Sequence, residues 1–472
     1  MRRLALLAAT MAVLMAVLSG CAHVPVVNER QLRQEAAGTQ TIRVYGVRGP
    51  LSTHQTRQVL ARVAAQAPNA DALARHLAVE QLIAASPLYA GNNVQVLRDG
   101  AQTFPAMFAV IEGARHTLDL EYYTMENVKS GGRELGTLLQ AKARAGVRVS
   151  VIYDAIGSMS TPAAFFQGLR AAGVRLVQYN PINPLKAGGS YAPNDRDHRK
   201  ILIADDSIAI VGGVNLSSSY ESETPLSGRH FGVPSQQQVP PAERPVWHDI
   251  DLEIRGPAVG QLSKLFREHW HDQKAPPLEP DPAFAQRAEG KQIVRVIGSS
   301  PARVAPRYYA TVLTAIRSAQ SSIWMTAAYF VPTYQELRAL KHAARRGVDV
   351  RIILPSHTDA PEILPVQRSY YGELLRAGIK VYERSTGIVH SKTLVIDGVW
   401  SLVGSSNFDQ RSVLFNDEVD VVVLGNRTAD QLRAGMQSDM SHARRIDWQF
   451  VHRQGAMEHL RAWFWRLWQR LL

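Results

Sequence analysis

The chemistry of this sequence centres on a polar pattern that occurs twice. The pattern His-x-Lys-x-x-x-x-Asp runs from His198 to Asp205 and again from His390 to Asp397. On a strand, residues two apart point to the same face, so each imidazole would lie beside an ammonium group. Lysine supplies a compact positive charge for phosphoryl oxygens, and histidine attacks phosphorus or donates a proton. The pattern therefore predicts chemistry at a phosphoryl group.

The match between the two copies extends beyond the motif. Lys200 and Lys392, and likewise Asn215 and Asn407, are separated by 192 residues (392 minus 200, 407 minus 215), as are the paired histidines and aspartates. A single copy would fit a polar strand end as well as a catalytic site. Two copies with matching Lys, Asp and Asn favour two repeats that each carry one half of an active site.

Alternating strand and helix patterns surround both copies. Apolar runs of strand length alternate with helical periodicity, which is typical of an α/β fold. The first repeat predicts strands at 94–97, 117–123 and 147–153 and helices at 104–115 and 132–145. The second predicts strands at 323–330 and 348–354 and helices at 308–319 and 334–346. The sequence thus predicts two tandem α/β sandwich domains.

The strings HRKILIAD with GGVN and HSKTLVID with GSSN resemble the two-copy signature of the phospholipase D superfamily. The resemblance covers roughly residues 92–453, and residues 92–220 are similar to its bacterial cardiolipin synthase branch. It implies two tandem phospholipase D-type domains that form one shared active site and work through a covalent phosphohistidine. The implied enzyme is a phosphatidyltransferase acting on phospholipids such as phosphatidylglycerol.

Other functions stay open from the sequence alone. A phosphodiesterase that hydrolyses phospholipid or nucleic acid would use the same site, because water and an alcohol attack the same intermediate. A catalytically silent lipid-binding module is disfavoured by the intact duplicate motif. The lysines supply the charge that a divalent ion gives other phosphoryl-transfer enzymes, so we expect neither a metal nor a cofactor.

The resemblance also implies roles for individual residues. His198 would be the nucleophile and His390 the general acid and base, although the symmetry of the sequence does not distinguish them. Asp249 and Glu418 occupy corresponding positions, and we expect Asp249 to orient His198 and Glu418 to orient His390. The paired lysines and asparagines would hold the nonbridging oxygens. The motif aspartates lie about 23 Å beyond their histidines on an extended strand, which favours a structural turn or a cross-half hydrogen bond.

The amino terminus predicts a lipid anchor. Two arginines precede an apolar run, Leu4 to Leu18, which is short for a transmembrane helix and ends in a small-residue context before Cys21. It resembles a bacterial lipobox, so residues 1–20 would be a lipoprotein signal peptide and Cys21 the lipidated first residue. Ala22 after the cysteine implies the periplasmic side, with the outer membrane favoured over the inner. An uncleaved membrane anchor is the alternative.

The rest of the chain divides into four predicted parts. These are an N-terminal helical region (21–91), a first domain (92–285), a second domain (286–453) and a C-terminal amphipathic helix (454–472). We expect the N-terminal helices to pack on the first domain. The last helix would lie in a bilayer interface or dock on its own domain. Two insertions in the first domain, one before His198 and one at 219–246, are interpreted as rim loops, the second alternatively as a disordered surface loop.

Composition fits a large folded enzyme with anionic partners. With 472 residues and 46% hydrophobic content, the chain can bury two cores. The formal net charge of +12 favours acidic lipid headgroups or nucleic acid. Together with the predicted anchor, it favours a membrane surface and makes nucleic acid an unlikely partner. A protein partner is not predicted.

Overall fold

The computed structural model describes residues 24–28, 42–84, 86–183, 192–221, 247–278, 287–300 and 307–470. The predicted signal peptide, Cys21 and most of the second insertion lie outside the described residues. In the part of the chain that is described, no helix is both long and apolar enough to cross a membrane.

The N-terminal region consists of a short hairpin and two helices. Its elements are β1 (Val44–Gly46), β2 (Gly49–Pro50), α1 (Thr53–Ala64) and α2 (Ala70–Ala84). Ser52 begins α1 with a capping box to Gln55. Apolar residues of both helices, including Val63 and Leu77, join the core of the second half of the chain.

The prediction that these helices pack on the first domain is therefore wrong. The physical reason lies in Glu80 of α2, whose carboxylate is fully buried. It accepts from Trp400 Nε1 over 3.1 Å and lies 3.2 Å from Arg295. A buried carboxylate needs a buried cationic partner, and the second half supplies it.

The first half builds a sheet between layers of helices. Its strands are β3 (Leu88–Arg98), β4 (Thr117–Tyr122), β5 (Lys129–Ser130), β6 (Arg133–Glu134), β7 (Arg148–Asp154), β8 (Arg175–Tyr179), β9 (Arg196–Asp197), β10 (Lys200–Ala204), β11 (Ile208–Gly212), β12 (Trp247–His248) and β13 (Ile250–Arg255). Its helices are α3 (Asp99–Gly113), α4 (Leu135–Arg144), α5 (Ala163–Ala171) and α6 (Val259–Asp272). The main sheet has the order β8-β7-β4-β10-β11-β13-β3.

The second half repeats this arrangement. Its strands are β14 (Gln292–Ser299), β15 (Ser322–Thr326), β16 (Asp349–Pro355), β17 (Lys380–Arg384), β18 (Ile388–Val389), β19 (Thr393–Ile396), β20 (Trp400–Gly404), β21 (Asn416–Leu424) and β22 (Ala443–Arg445). Its helices are α7 (Arg307–Ser318), α8 (Tyr334–Arg345), α9 (Ile363–Ser369), α10 (Tyr371–Arg376), α11 (Gln410–Leu414), α12 (Asn426–Ser441), α13 (Trp448–His452) and α14 (Ala456–Arg466). The sheet order β17-β16-β15-β19-β20-β21-β14 matches that of the first half strand by strand.

Both faces of each sheet are buried, which explains why the motif strands read as continuous apolar runs. On β10, Leu202 belongs to the outer core under α3 to α5, whereas Ile201 and Ile203 belong to the core between the halves. On β19, Leu394 faces the outer core and Val395 the shared inner core. The inner core also receives α6 and α12, so each half is a sandwich of helices around a sheet.

The two sheets are joined through β3. This strand pairs with β13 from Asn93 to Arg98 and with β14 from Tyr89 to Asn92. The prediction of two tandem α/β sandwich domains is confirmed. The C-terminal α14 packs on α9 of the second half and buries Ala462, while its Trp463 is 61% exposed.

Candidate active site

Each motif histidine is held by the backbone of the opposite half. β9 pairs in parallel with the start of β21, and the His198 amide donates to the Asp417 carbonyl over 2.9 Å. Likewise, β12 pairs in parallel with β18, and the His390 amide donates to the His248 carbonyl over 2.8 Å. Two short parallel pairings, β9 with β21 and β12 with β18, thus join the two halves. Both histidines are thereby fixed at the interface, just before the strands that carry the motif lysines.

Both histidines line one cavity of about 220 Å³. Asn215 and Asn407 line it as well. Asn215 Oδ1 accepts from the Thr124 amide over 3.2 Å, whereas Asn407 Oδ1 is buried without a hydrogen-bond partner among the described residues. The structure therefore brings four of the predicted site residues, two from each repeat, to a single cavity.

A carboxylate of the opposite half contacts Nδ1 of each imidazole. His198 Nδ1 lies 3.0 Å from Glu418 Oε2, and His390 Nδ1 lies 2.7 Å from Asp249 Oδ2. The prediction that Asp249 orients His198 and Glu418 orients His390 is therefore wrong in its pairing. The strand pairings between the halves are the reason, because β21 carries Glu418 past His198 and β12 leads directly into Asp249 beside His390.

Burial sets the protonation state of His198, and the Glu418 contact sets its tautomer. Burial lowers the pKa of His198 to about 4; Glu418 opposes this shift and Lys200 adds to it. Burial alone would raise the pKa of the Glu418 carboxyl, but His198, Lys200 and Ser405 lower it to about 2. At neutral pH the pair is a neutral imidazole and a carboxylate. Nδ1–H then donates to Glu418, which leaves the Nε2 lone pair as a nucleophile.

The motif lysines lie behind the histidines. Lys200 and Lys392 are almost fully buried, and each ammonium group donates to the backbone carbonyl of its own histidine. Neither lines the cavity. Burial lowers the pKa of Lys200 to about 7; Glu418 opposes this shift and Lys392 adds to it. Burial also lowers the pKa of Lys392. A phosphodiester anion in the cavity would stabilise both charged forms.

The two histidine–carboxylate pairs differ in their third partner. Tyr220 Oη lies 2.8 Å from His390 Nδ1 and donates to Asp249 over 3.2 Å, whereas Ser405 Oγ donates to Glu418 over 2.5 Å. Gly213 corresponds to Ser405, and a Cβ at Gly213 would lie 2.1 Å from Asp249 Oδ1. Sequence reasoning missed both partners. The one available signal was the Gly-to-Ser difference at the 192-residue offset.

Two arginines and two aspartates of the cavity were also missed. Arg196, Arg411, Asp359 and Asp409 all line it. A comparison of the repeats gives no signal for the arginines, because Ile388 corresponds to Arg196 and Ser219 to Arg411. The two arginines place guanidinium groups at the cavity wall beside the two aspartates, and these groups are opposite in charge to an anionic substrate.

The motif aspartates form turns. Asp205 accepts hydrogen bonds from the backbone amides of residues 115–117, and Asp397 accepts them from those of residues 320–322. Both have positive φ, +52° and +53°. Each carboxylate thus ties a strand turn to the start of a neighbouring strand within its own half. Of the two alternatives from the sequence, the structural turn fits and the cross-half hydrogen bond does not.

A buried cluster beside His198 has residue types that bind metals. Glu121, Asp197 and His269 offer ligand atoms within 4.8 Å of one another. The guanidinium of Arg199 donates to Glu121 over 3.1 Å, and His269 Nδ1 lies 2.7 Å from the same oxygen. The arginine already supplies a positive charge there, so the cluster has the character of a buried ion-pair network.

Comparison with known proteins gives consistent matches. Residues 107–224 and 312–440 match the family described as "Cardiolipin synthase, PLD-like domain". The chain is 34% identical over 377 residues to a cardiolipin synthase of Geobacillus kaustophilus, an alignment that covers 77% of this chain and 69% of that protein. It is 32% identical over 364 residues to cardiolipin synthase A of Pseudomonas entomophila, covering 76% and 71%.

A solved structure shares the fold. The crystal structure of phosphatidylserine synthase from Haemophilus influenzae superposes with a TM-score of 0.59 at 12% identity, and the match covers 83% of this chain and 99% of that one. At this identity the likeness concerns the fold. It supports the two-domain arrangement read from the strand order.

Proposed function

The chain belongs to the cardiolipin synthase family with phospholipase D-like domains, and from this premise we propose that it is a phosphatidyltransferase that joins two phospholipids. The expected substrates are two phosphatidylglycerol molecules, and the products are cardiolipin and glycerol. One observation carries the proposal: two imidazoles from different halves share one cavity, and each is held at Nδ1 by a carboxylate. A double displacement needs such a pair, one nucleophile and one acid–base.

In the first displacement, His198 Nε2 attacks phosphorus, and the bond from phosphorus to the glycerol oxygen breaks. His390 gives its proton to that oxygen, and Glu418 stabilises the positive charge that develops on His198. Burial lowers the pKa of His390, with Lys392 adding to the shift and Asp249 opposing it. The phosphodiester anion opposes this lowering when it binds, so the substrate itself promotes the protonated acid.

In the second displacement, His390 takes the proton from a hydroxyl of the second lipid. The hydroxyl oxygen attacks phosphorus, the phosphorus–nitrogen bond breaks, and His198 is restored. Asn215 and Asn407 line the cavity where they could donate to nonbridging oxygens. A preorganised donor of this kind contributes roughly 3–4 kcal/mol to transition-state stabilisation.

A product assay separates transfer from hydrolysis. Vesicles of labelled phosphatidylglycerol should give cardiolipin and glycerol as main products, with phosphatidic acid minor, and His198→Ala should give neither lipid product. Mostly phosphatidic acid from the wild-type protein, or DNA cleavage much faster than lipid turnover, would contradict the proposal.

We also propose that Cys21 carries a lipid anchor and holds the enzyme on the periplasmic side of a membrane, the outer membrane rather than the inner. The lipobox resemblance and the net charge of +12 support this. Two or more acyl chains anchor a protein firmly, at about 0.8 kcal/mol per buried methylene. Radiolabelled palmitate should enter the wild-type protein in cells and not Cys21→Ser, and the labelled protein should fractionate with outer membranes. A wild-type protein that takes up no label would contradict the anchor.

A further inference from the structure

A second and larger cavity lies beside the catalytic one. This basic cleft has a volume of about 890 Å³, and the basic side chains of its walls are Arg317, Arg338, His342, Arg346 and Arg470. None of its lining residues among those that the structure describes is acidic. A concave site with several arginines and no carboxylate is suited to an anionic ligand.

The charged wall is partly preorganised. Arg338, His342 and Arg346 recur every four residues along and just beyond α8, so they lie on one face. The Arg346 guanidinium donates to the carbonyls of Arg317 and Ala319 over 3.2 and 3.1 Å. This anchoring lowers the entropy lost when a ligand binds. Arginine also presents a planar fork that matches phosphate oxygens.

The start of α11 contributes residues to both the basic cleft and the catalytic cavity. Gln410, the first residue of α11, lines the cleft, whereas its neighbours Asp409 and Arg411 line the catalytic cavity. Consecutive Cα atoms are about 3.8 Å apart. The two cavities therefore adjoin at this segment, whereas the Arg346 end of the cleft lies farther from the histidines, near the turn that Asp397 holds.

Both ends of the described chain reach the basic cleft. Val24, Pro25 and Val26 form part of its wall, and the Val27 amide donates to Gln335 Oε1 over 3.2 Å. Three residues of extended chain span at most about 11 Å, so the proposed anchor at Cys21 would hold the cleft close to the bilayer.

The other end adds apolar surface beside the same cleft. Arg470 lines the cleft shortly after α14, on which Leu460 and Trp463 are 56% and 61% exposed. Exposed apolar and Trp residues interleaved with arginines suit a bilayer interface. A phospholipid is thus the anion that would reach this cleft.

The chemistry of the transfer requires a second phosphate near the first. In cardiolipin, six bonds of about 1.5 Å separate the two phosphorus atoms, which places them roughly 7 Å apart. The catalytic cavity of about 220 Å³ is a quarter of the size of the cleft. Two phosphate anions that close together repel each other, and cationic groups at the second one offset that repulsion.

We propose that the basic cleft binds the phosphodiester of the acceptor phospholipid and thereby directs its glycerol hydroxyl to the phosphohistidine. This inference rests on the proposed transfer function. It assigns the donor to the catalytic cavity and the acceptor to the cleft. Neutral alcohols, which carry no phosphate, need no such site.

The test compares Arg338→Gln and Arg470→Gln with Arg170→Gln, which removes an exposed arginine of α5 outside the cleft. With phosphatidylglycerol vesicles, both cleft variants should lower the ratio of cardiolipin to phosphatidic acid by about tenfold. The first-turnover burst of glycerol, which reports the first displacement, should stay near the wild-type rate and also shows that the variants fold. The control should match the wild type in both measurements.

A second arm adds ethanol as a neutral acceptor. The cleft variants should form phosphatidylethanol as fast as the wild type while cardiolipin formation falls. An unchanged cardiolipin ratio, or an equal loss of cardiolipin and phosphatidylethanol, would overturn the acceptor site. A wild-type protein that makes no cardiolipin would instead refute the transfer function, so the two failures are distinguishable.

Discussion

Replacing Glu418 with glutamine removes the charge beside His198 and keeps the shape of the side chain. The carboxylate is fully buried and lies 3.0 and 3.2 Å from Nδ1. Its pKa, lowered to about 2, keeps it ionised in any ordinary assay. A hydrogen bond to a charged group contributes about 1.5–3 kcal/mol. At 1.36 kcal/mol for each factor of ten, its loss should slow phosphohistidine formation by roughly 10- to 150-fold.

The assay is a rapid-quench burst with a phosphatidyl ester of p-nitrophenol. This leaving group needs no proton from a general acid, so the nitrophenolate burst reports attack by His198. The burst rate of Glu418→Gln should fall by the whole factor expected for phosphohistidine formation. Asp249→Asn, which alters the partner of His390, should keep the burst within about threefold of the wild type. Ser405→Ala is a milder control, because it removes only the hydroxyl that donates to Glu418.

The reverse pattern would refute the reasoning. A normal burst in Glu418→Gln together with a slow burst in Asp249→Asn would mean that His390 is the nucleophile or that each acid supports the histidine of its own half. A normal burst in both variants would mean that neither carboxylate assists attack.

The remaining predictions concern the shared site, its pH dependence, a turn and metals. His198→Ala and His390→Ala should each abolish turnover, and the double variant should lose little more; turnover by either single variant would contradict one shared site. Because the nucleophile must be neutral and the pKa of His198 is lowered to about 4, the burst rate should stay level as the pH falls to about 5 and drop near 4, whereas a drop centred near 6.5 would contradict this burial. Asp397→Ala leaves three backbone amides without their acceptor, so the unfolding free energy in urea should fall by about 1–3 kcal/mol; an unchanged midpoint would show that water replaces the carboxylate. Activity should survive EDTA, and a loss restored by one divalent ion would reveal a metal site.

The constant 192-residue offset explains why so much of the fold could be predicted. A duplicated sequence implies a duplicated sheet, and the structure repeats the strand order accordingly. The paired residues His198 and His390, and Asn215 and Asn407, meet at one cavity because a shared site needs both copies. Cavity residues that have no counterpart in the other copy, such as Arg196, could not be found this way.

Other features depend on contacts that a periodic pattern does not encode. Alignment gives Asp249 and Glu418 equivalent positions, but the strand pairings between the halves determine which imidazole each carboxylate faces. The amphipathic patterns of α1 and α2 indicate that one face of each helix is buried, but they do not show which domain covers that face. The buried acid Glu80 and its partner Arg295 settle that question only in three dimensions.

Trapping the covalent intermediate tests the central claim most directly. The protein is mixed with phosphatidylglycerol labelled in its phosphatidyl group, quenched before the first turnover is complete, and digested for peptide mapping. We expect at most one label per chain, on His198, and unlabelled phosphatidylglycerol added before the quench should convert it to cardiolipin. Labels on His198 and His390 together in one chain, or a label that is released only as phosphatidic acid, would contradict a single phosphatidyltransferase site built by both halves.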